Sequence, residues 1–156
     1  MSDAVPVISG FSKLRRLNAG GSDTVYAAWD DRHGREVAVK VPTRQTLDPR
    51  AQESFSRELL VMGRVSDHPH IVTVYHSGFT EDEEPAPFLV MPLFNDGSYA
   101  DKLDREGPMG WVEATEIGVK ILSALGTAHK RQVLHRDIKP ANIFIGAHTN
   151  LSLIHI

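Results

Sequence analysis

Between the long helical pattern Trp111 to Arg131 and the short apolar run Ile143-Phe144-Ile145 stands the octapeptide His135-Arg136-Asp137-Ile138-Lys139-Pro140-Ala141-Asn142. This placement sets a dense group of polar side chains at the junction of a helical pattern and a short apolar run. Asp137 offers a carboxylate that can accept a proton. Lys139, two residues on, is a mobile point charge suited to phosphate, and Asn142 offers an uncharged oxygen to a hard metal ion. His135 and Arg136 have the character of supporting residues, one packing the loop and the other available to a carboxylate or phosphate. A polar surface loop after a helix is the plain alternative, and the spacing of the whole octapeptide argues against it.

Upstream, the chain alternates. Phe11 to Leu17 forms a first strand, the segment Asn18-Ala19-Gly20-Gly21-Ser22-Asp23-Thr24-Val25 a turn leading into a second, and Asp31 to Arg35 a hairpin turn. In Glu36-Val37-Ala38-Val39-Lys40-Val41 the period of two puts Ala38 and Lys40 on one face, opposite Val37, Val39 and Val41. Asp48-Pro49 is a good helix entry, and Phe55, Leu59, Met62 and Val65 then recur at helical spacing. Strands are expected at Val72 to Phe79 and at Phe88 to Met91, separated by the acidic turn Glu81-Asp82-Glu83-Glu84-Pro85. Ser98 to Glu106 begins a short helix that Gly107-Pro108 ends. The long helix carries Val112, Ile117, Ile121, Leu125 and His129 roughly along one side, with Ala124 and Ala128 allowing close packing. Ile143 to Ile145 and Leu151 to Ile154 make a terminal hairpin. His68 and His70 have no third ligand at matching spacing, so they do not make a metal site.

The octapeptide matches the catalytic-loop pattern H-R-D-x-K-x-x-N, and the chain resembles the bacterial type of eukaryotic-like (Hanks-type) Ser/Thr protein kinases. Supporting segments are the strand bearing Lys40 and the link His68-Pro69-His70-Ile71-Val72. The resemblance implies a protein-kinase-like α+β fold: a complete antiparallel β-rich N-terminal lobe, then the first helices and catalytic loop of the C-terminal lobe. Residues 11–156 would form a partial kinase domain, with the N-terminal lobe at 11–91, a hinge at 92–97 and an incomplete C-terminal lobe at 98–156. It further implies ATP and Mg2+ as cofactors and a protein Ser/Thr hydroxyl as phosphoryl acceptor. Asp137 would position that hydroxyl, Lys139 would neutralise charge in transfer, and Asn142 would hold magnesium. Lys40 would contact the α and β phosphates and pair with Glu58, with Glu53 as the rival partner. Leu17, Val25, Ala38 and Met91 would enclose the adenine, Phe94 would offer hinge backbone groups, and Asp96 would face the ribose or serve only as a turn residue. Lys139 follows the Ser/Thr rather than the tyrosine-specific form of the loop.

One segment departs from the pattern. Of the glycine positions in G-x-G-x-x-G-x-V only Gly20 is kept, while Asn18 and Asp23 occupy the other two. Glycines let backbone N–H groups close over phosphates, so a carboxylate at Asp23 would repel them unless it pointed to solvent. At the far end, His155 and Ile156 stand where the family has the Asp and Phe of D-F-G. An imidazole is a poor magnesium ligand, so the expectation is a truncated kinase with little or no activity. The alternative is a non-catalytic nucleotide-binding or protein-interaction fragment, and a small-molecule phosphotransferase comes third.

Composition excludes other classes. With 17 basic and 20 acidic side chains the chain carries a formal charge of −3, which gives no reason to expect a nucleic-acid partner. The absence of cysteine rules out disulfides, thiolate zinc sites and a cysteine nucleophile. No membrane segment or secretory signal is legible, so a cytoplasmic protein is the default expectation, with an anchor beyond residue 156 left open.

Overall fold

In the computed structural model, residues 5–20, 23–42, 53, 63–65, 67–146 and 152–153 are described. The alternating segments become β1 (Phe11–Gly20), β2 (Asp23–Asp30), β3 (Arg35–Pro42), β4 (His76–Phe79) and β5 (Pro87–Pro92). They form one antiparallel sheet in the order β1-β2-β3-β5-β4. Residues paired across strands share a face, so the register sorts the side chains. The pairs Tyr26↔Val39, Ala28↔Val37 and Val39↔Val90 fix one face. On it Tyr26, Ala28, Val37, Val39, Val41, Phe88 and Val90 make a core with Ile8 and Ala86. The pairs Val25↔Lys40, Ala27↔Ala38, Ala38↔Met91 and Lys40↔Leu89 fix the other. The α+β expectation therefore holds, with an antiparallel sheet of the anticipated alternation.

Two strand boundaries differ from the sequence reading. β1 runs on past Leu17 because its far end pairs with β2, as Asn18↔Val25, Ala19↔Thr24 and Gly20↔Asp23. β4 begins only at His76 rather than Val72. The Ile71 N–H is taken up by the His68 carbonyl (3.0 Å) in the preceding turn, and the Tyr75 ring lies 3.8 Å beneath the Arg35 guanidinium. The N–H of Tyr75 still donates to the Val90 carbonyl (2.7 Å), so the approach to the sheet is hydrogen-bonded without being a strand. Trp29 on β2 is partly buried, with the Lys13 ammonium 5.4 Å from its ring.

Backbone proximity divides the chain into two compact units. The sheet belongs to the first, Met1–Leu59 with Val74–Leu93; the second comprises Leu60–Thr73 with Phe94–Ile156. In the second unit, α1 (Tyr99–Glu106) starts on a capping box. Ser98 Oγ accepts from the Asp101 N–H, while the Asp101 carboxylate accepts from the Ser98 N–H (2.7 Å). Gly107, at φ 78°, ends it. Lys102 of α1 forms an ion pair with Glu113 at the start of α2 (Trp111–Lys130).

The buried side of α2 is Ile117, Ala124 and Ala128, with Ile121 partly buried beside them. At about 100° per residue these four positions span only about 60° of arc, whereas Val112 is about 140° from Ile117. Val112 and His129, expected on the inner side, are accordingly exposed, and Trp111 is 80% exposed. The core of this unit adds Val65, Ile71, Tyr99, Val133 and Ile143. Arg131 clamps the end of α2 to the 64–67 segment: Nη1 and Nη2 reach the two Asp67 oxygens (2.5 and 2.8 Å), and Nη1 also donates to the Arg64 carbonyl. A short 3-10 turn, Pro140–Asn142, leads into β6 (Ile143–Phe144), which pairs with β7 (Ser152–Leu153). Among the described residues no helix is long and apolar enough to cross a membrane.

Candidate active site

The loop after α2 is pinned at both ends by burial. Val133 is 4% exposed and its N–H returns to the Ala128 carbonyl (2.9 Å); Ile143 is 6% exposed in the same core. The backbone is left-handed at Gln132 (φ 62°), just before the first anchor, and again at Arg136 (φ 64°), between the two. The second turn folds the loop back so that the Asp137 N–H donates to Nδ1 of His135 (3.1 Å). His135 thus packs the loop, the role its type suggested.

The turn sets three functional groups together. Oδ2 of Asp137 accepts from the Lys139 ammonium (2.7 Å) and from Nδ2 of Asn142 (3.0 Å), and the same Nδ2 donates to the Asp137 carbonyl (2.9 Å). Both partners of that amide are acceptors, so its nitrogen must face them and its oxygen is left for another ligand. Lys139 first, with a further contribution from Asn142, holds the Asp137 carboxyl below its ordinary value despite an opposing desolvation effect. The group is therefore ionised at neutral pH and, being well exposed, open to an incoming hydroxyl. Its carboxylate and the Asn142 oxygen are hard donors of the class magnesium takes, so the residues present fit such an ion in kind.

Elsewhere in the second unit, Phe94 stacks on Phe144 (centroids 5.2 Å apart, planes 12° apart), and its carbonyl accepts from the Gly97 N–H (3.1 Å). Asp96 lies exposed in that turn. Gly97 is required there: its φ is 75°, and a Cβ would come within 2.7 Å of Asp101 Oδ2. The Phe94–Phe144 stack escaped the sequence reading, because Phe144 looked like one residue of an apolar strand.

In the first unit, Val25, Ala38, Lys40 and Met91 lie on one sheet face through the register already given. Gly20 pairs with Asp23 at the end of the β1–β2 ladder, and Leu17, at a register shift in β1, is 43% exposed. Asp23 does not point to solvent but pairs with Lys40, a partner the sequence did not reveal. Its Oδ2 is 3.0 Å from the Lys40 ammonium, with the two side chains 27% and 14% exposed. Glu58 lies outside the described residues, as do Gly21, Ser22, His155 and Ile156; Glu53 is helical and exposed. Among the described residues no cluster of three or more His, Cys, Asp or Glu could hold a metal ion.

Comparison with known proteins gives a consistent picture. The family described as the protein kinase domain matches residues 11–155. The serine/threonine-protein kinase PknK of Mycobacterium tuberculosis is 42% identical over 137 residues, covering 88% of this chain and 12% of that protein. The serine/threonine-protein kinase PknB of Mycobacterium leprae is 38% identical over 133 residues, covering 84% of this chain and 21% of its own length. A probable serine/threonine-protein kinase of Corynebacterium efficiens is 37% identical over 131 residues, covering 83% and 20%. The chain thus spans about an eighth to a fifth of the length of these relatives.

Proposed function

Because the chain belongs to the protein kinase family, we propose that it carries the ATP-handling and hydroxyl-activating parts of a Ser/Thr protein kinase, within a kinase domain running from residue 11 to 156. The observation that carries this reading is the triad in the loop after α2: one carboxylate oxygen of Asp137 held by both Lys139 and Asn142. Phosphoryl transfer asks a protein mainly for positioning and charge stabilisation.

Asp137, ionised and exposed, accepts a hydrogen bond from the substrate Ser or Thr hydroxyl and takes its proton as the oxygen bonds to the γ-phosphorus and the bond from that phosphorus to the bridging oxygen breaks, ADP leaving with the electron pair. Lys139 can swing from Asp137 to the transferring phosphoryl group, since its ammonium is a point charge on a flexible stem. Asn142 presents its amide oxygen to magnesium while its nitrogen keeps Asp137 in place. Magnesium, when bound, supplies neutralising charge to the phosphate oxygens. On the sheet, Lys40 holds the α and β phosphates, with Glu58 as its expected helix partner, and Leu17, Gly20, Val25, Ala38 and Met91 line the nucleotide's side. Phe94 offers backbone groups to the adenine and Asp96 a carboxylate to the ribose. The names of the relatives and Lys139 both favour Ser/Thr over Tyr as acceptor.

A second reading, nucleotide binding without transfer, is favoured by the Asp23–Lys40 pair, which places an anion where phosphates are to go. Two measurements separate them. Calorimetric titration with ATP and magnesium should show binding that Lys40→Met removes; binding indifferent to Lys40 overturns the assignment of the phosphate site. Radiolabelled phosphate transfer to a generic basic protein should show little or no turnover by this chain, and any turnover it does show should fall by about 100-fold or more in Asp137→Asn, with ATP affinity unchanged. Transfer that survives this substitution sinks the catalytic reading.

A further inference from the structure

We infer that Asp23 is a tethered competitor of the nucleotide's phosphates: its carboxylate occupies the Lys40 ammonium and so sets how tightly this chain holds ATP. The inference rests on the reading of Lys40 as the phosphate lysine.

The pair follows from the fold and is more than a chance rotamer. Asp23 is the first residue of β2, and alternation puts it on the same face as Val25. Val25 is the direct cross-strand partner of Lys40, so Asp23 stands diagonally across from that lysine. Diagonal neighbours on one face lie within reach of long side chains. The ladder pair Gly20↔Asp23 at one side and Asp23↔Pro42 at the other hold the aspartate backbone in register, which keeps its side chain within reach of the ammonium. Both side chains are largely shielded, at 27% and 14% exposure, so the attraction is screened less than at an open surface.

A polyphosphate arriving at Lys40 meets an anion already in place. Either the carboxylate is displaced and the pair is lost, or carboxylate and phosphate share one ammonium and repel each other. Both outcomes weaken phosphate binding and neither touches the base or sugar. The effect should therefore appear with ATP and be absent with adenosine.

The test uses the whole 156-residue chain and compares wild type, Asp23→Asn and Asp23→Ser by titration with Mg-ATP and with adenosine. Loss of one partly shielded pair should tighten ATP by roughly three- to tenfold in both variants. Adenosine affinity should stay the same, which also shows that the variants are folded. In a Lys40→Met background, followed by competition against a fluorescent adenine probe, Asp23→Asn should change ATP affinity by less than about twofold, since no contested ammonium remains. Lys40-dependent ATP binding that Asp23→Asn leaves equal or weaker overturns the inference while the kinase reading stands. Equal tightening with and without Lys40 also overturns it, because Asp23 would then act by direct repulsion alone. Failure of wild type and both Asp23 variants to bind ATP or adenosine overturns the nucleotide reading and the inference with it.

Discussion

At Asp137 two neighbours act in the same direction. The Lys139 ammonium and the Asn142 amide both stabilise the ionised carboxylate, so its folded value lies below the ordinary aspartate value of about 3.9. The proton-accepting form is therefore complete above that ordinary value and is lost only as the pH falls through the depressed one. A carbon-13 titration of the Asp137 carboxyl should place its midpoint below that of an unperturbed aspartate, and Lys139→Met should move it upward. A midpoint unmoved by that substitution would show that the pair seen here does not persist in solution. These three residues were legible in the sequence because their contacts are local, all within one eight-residue loop. The Asp23–Lys40 contact was not, because it exists only once two strands are paired in a particular register, and spacing along the chain does not give that register.

Among the elements, α1 depends on its cap. Ser98→Ala should cost about 1 kcal/mol, measured as a loss in thermal or urea unfolding at neutral pH. Hydrogen bonds from the Ser98 side chain and backbone hold the Asp101 carboxyl below its usual range. A depressed carboxyl contributes stability above its ordinary value and loses that contribution as the pH falls through the depressed value. The penalty of Ser98→Ala should accordingly shrink in acid, and a penalty independent of pH would count against the reciprocal bond. In the sheet, Val39→Ala removes buried methyl groups from a fully enclosed position and should cost about 2 kcal/mol, read from denaturant unfolding. The existence of α2 was plain from its periodicity, but its rotational phase was not. Val112 drew the apolar side toward itself, while the inner positions Ala124 and Ala128 are small and carry a weak signal. Close packing selected them because they are small.

The whole chain carries a formal charge of −3 with a sequence pI near 6.2. At about pH 7.5 and low salt it should pass through a heparin column unretained, and retention would reveal a concentrated basic surface that net charge conceals. Alternation along each segment made an antiparallel sheet legible, but not that β5 lies between β3 and β4. A strand with one apolar face can satisfy that face beside several neighbours, so the order came from long-range pairing. The two tryptophans of the chain fall one in each compact unit, Trp29 partly buried on the sheet and Trp111 open at the start of α2. Their emission is therefore separable: iodide should quench Trp111 strongly and Trp29 weakly. A Trp111→Phe chain would then glow from the sheet alone, giving an optical record of the sheet's own unfolding without any attached label.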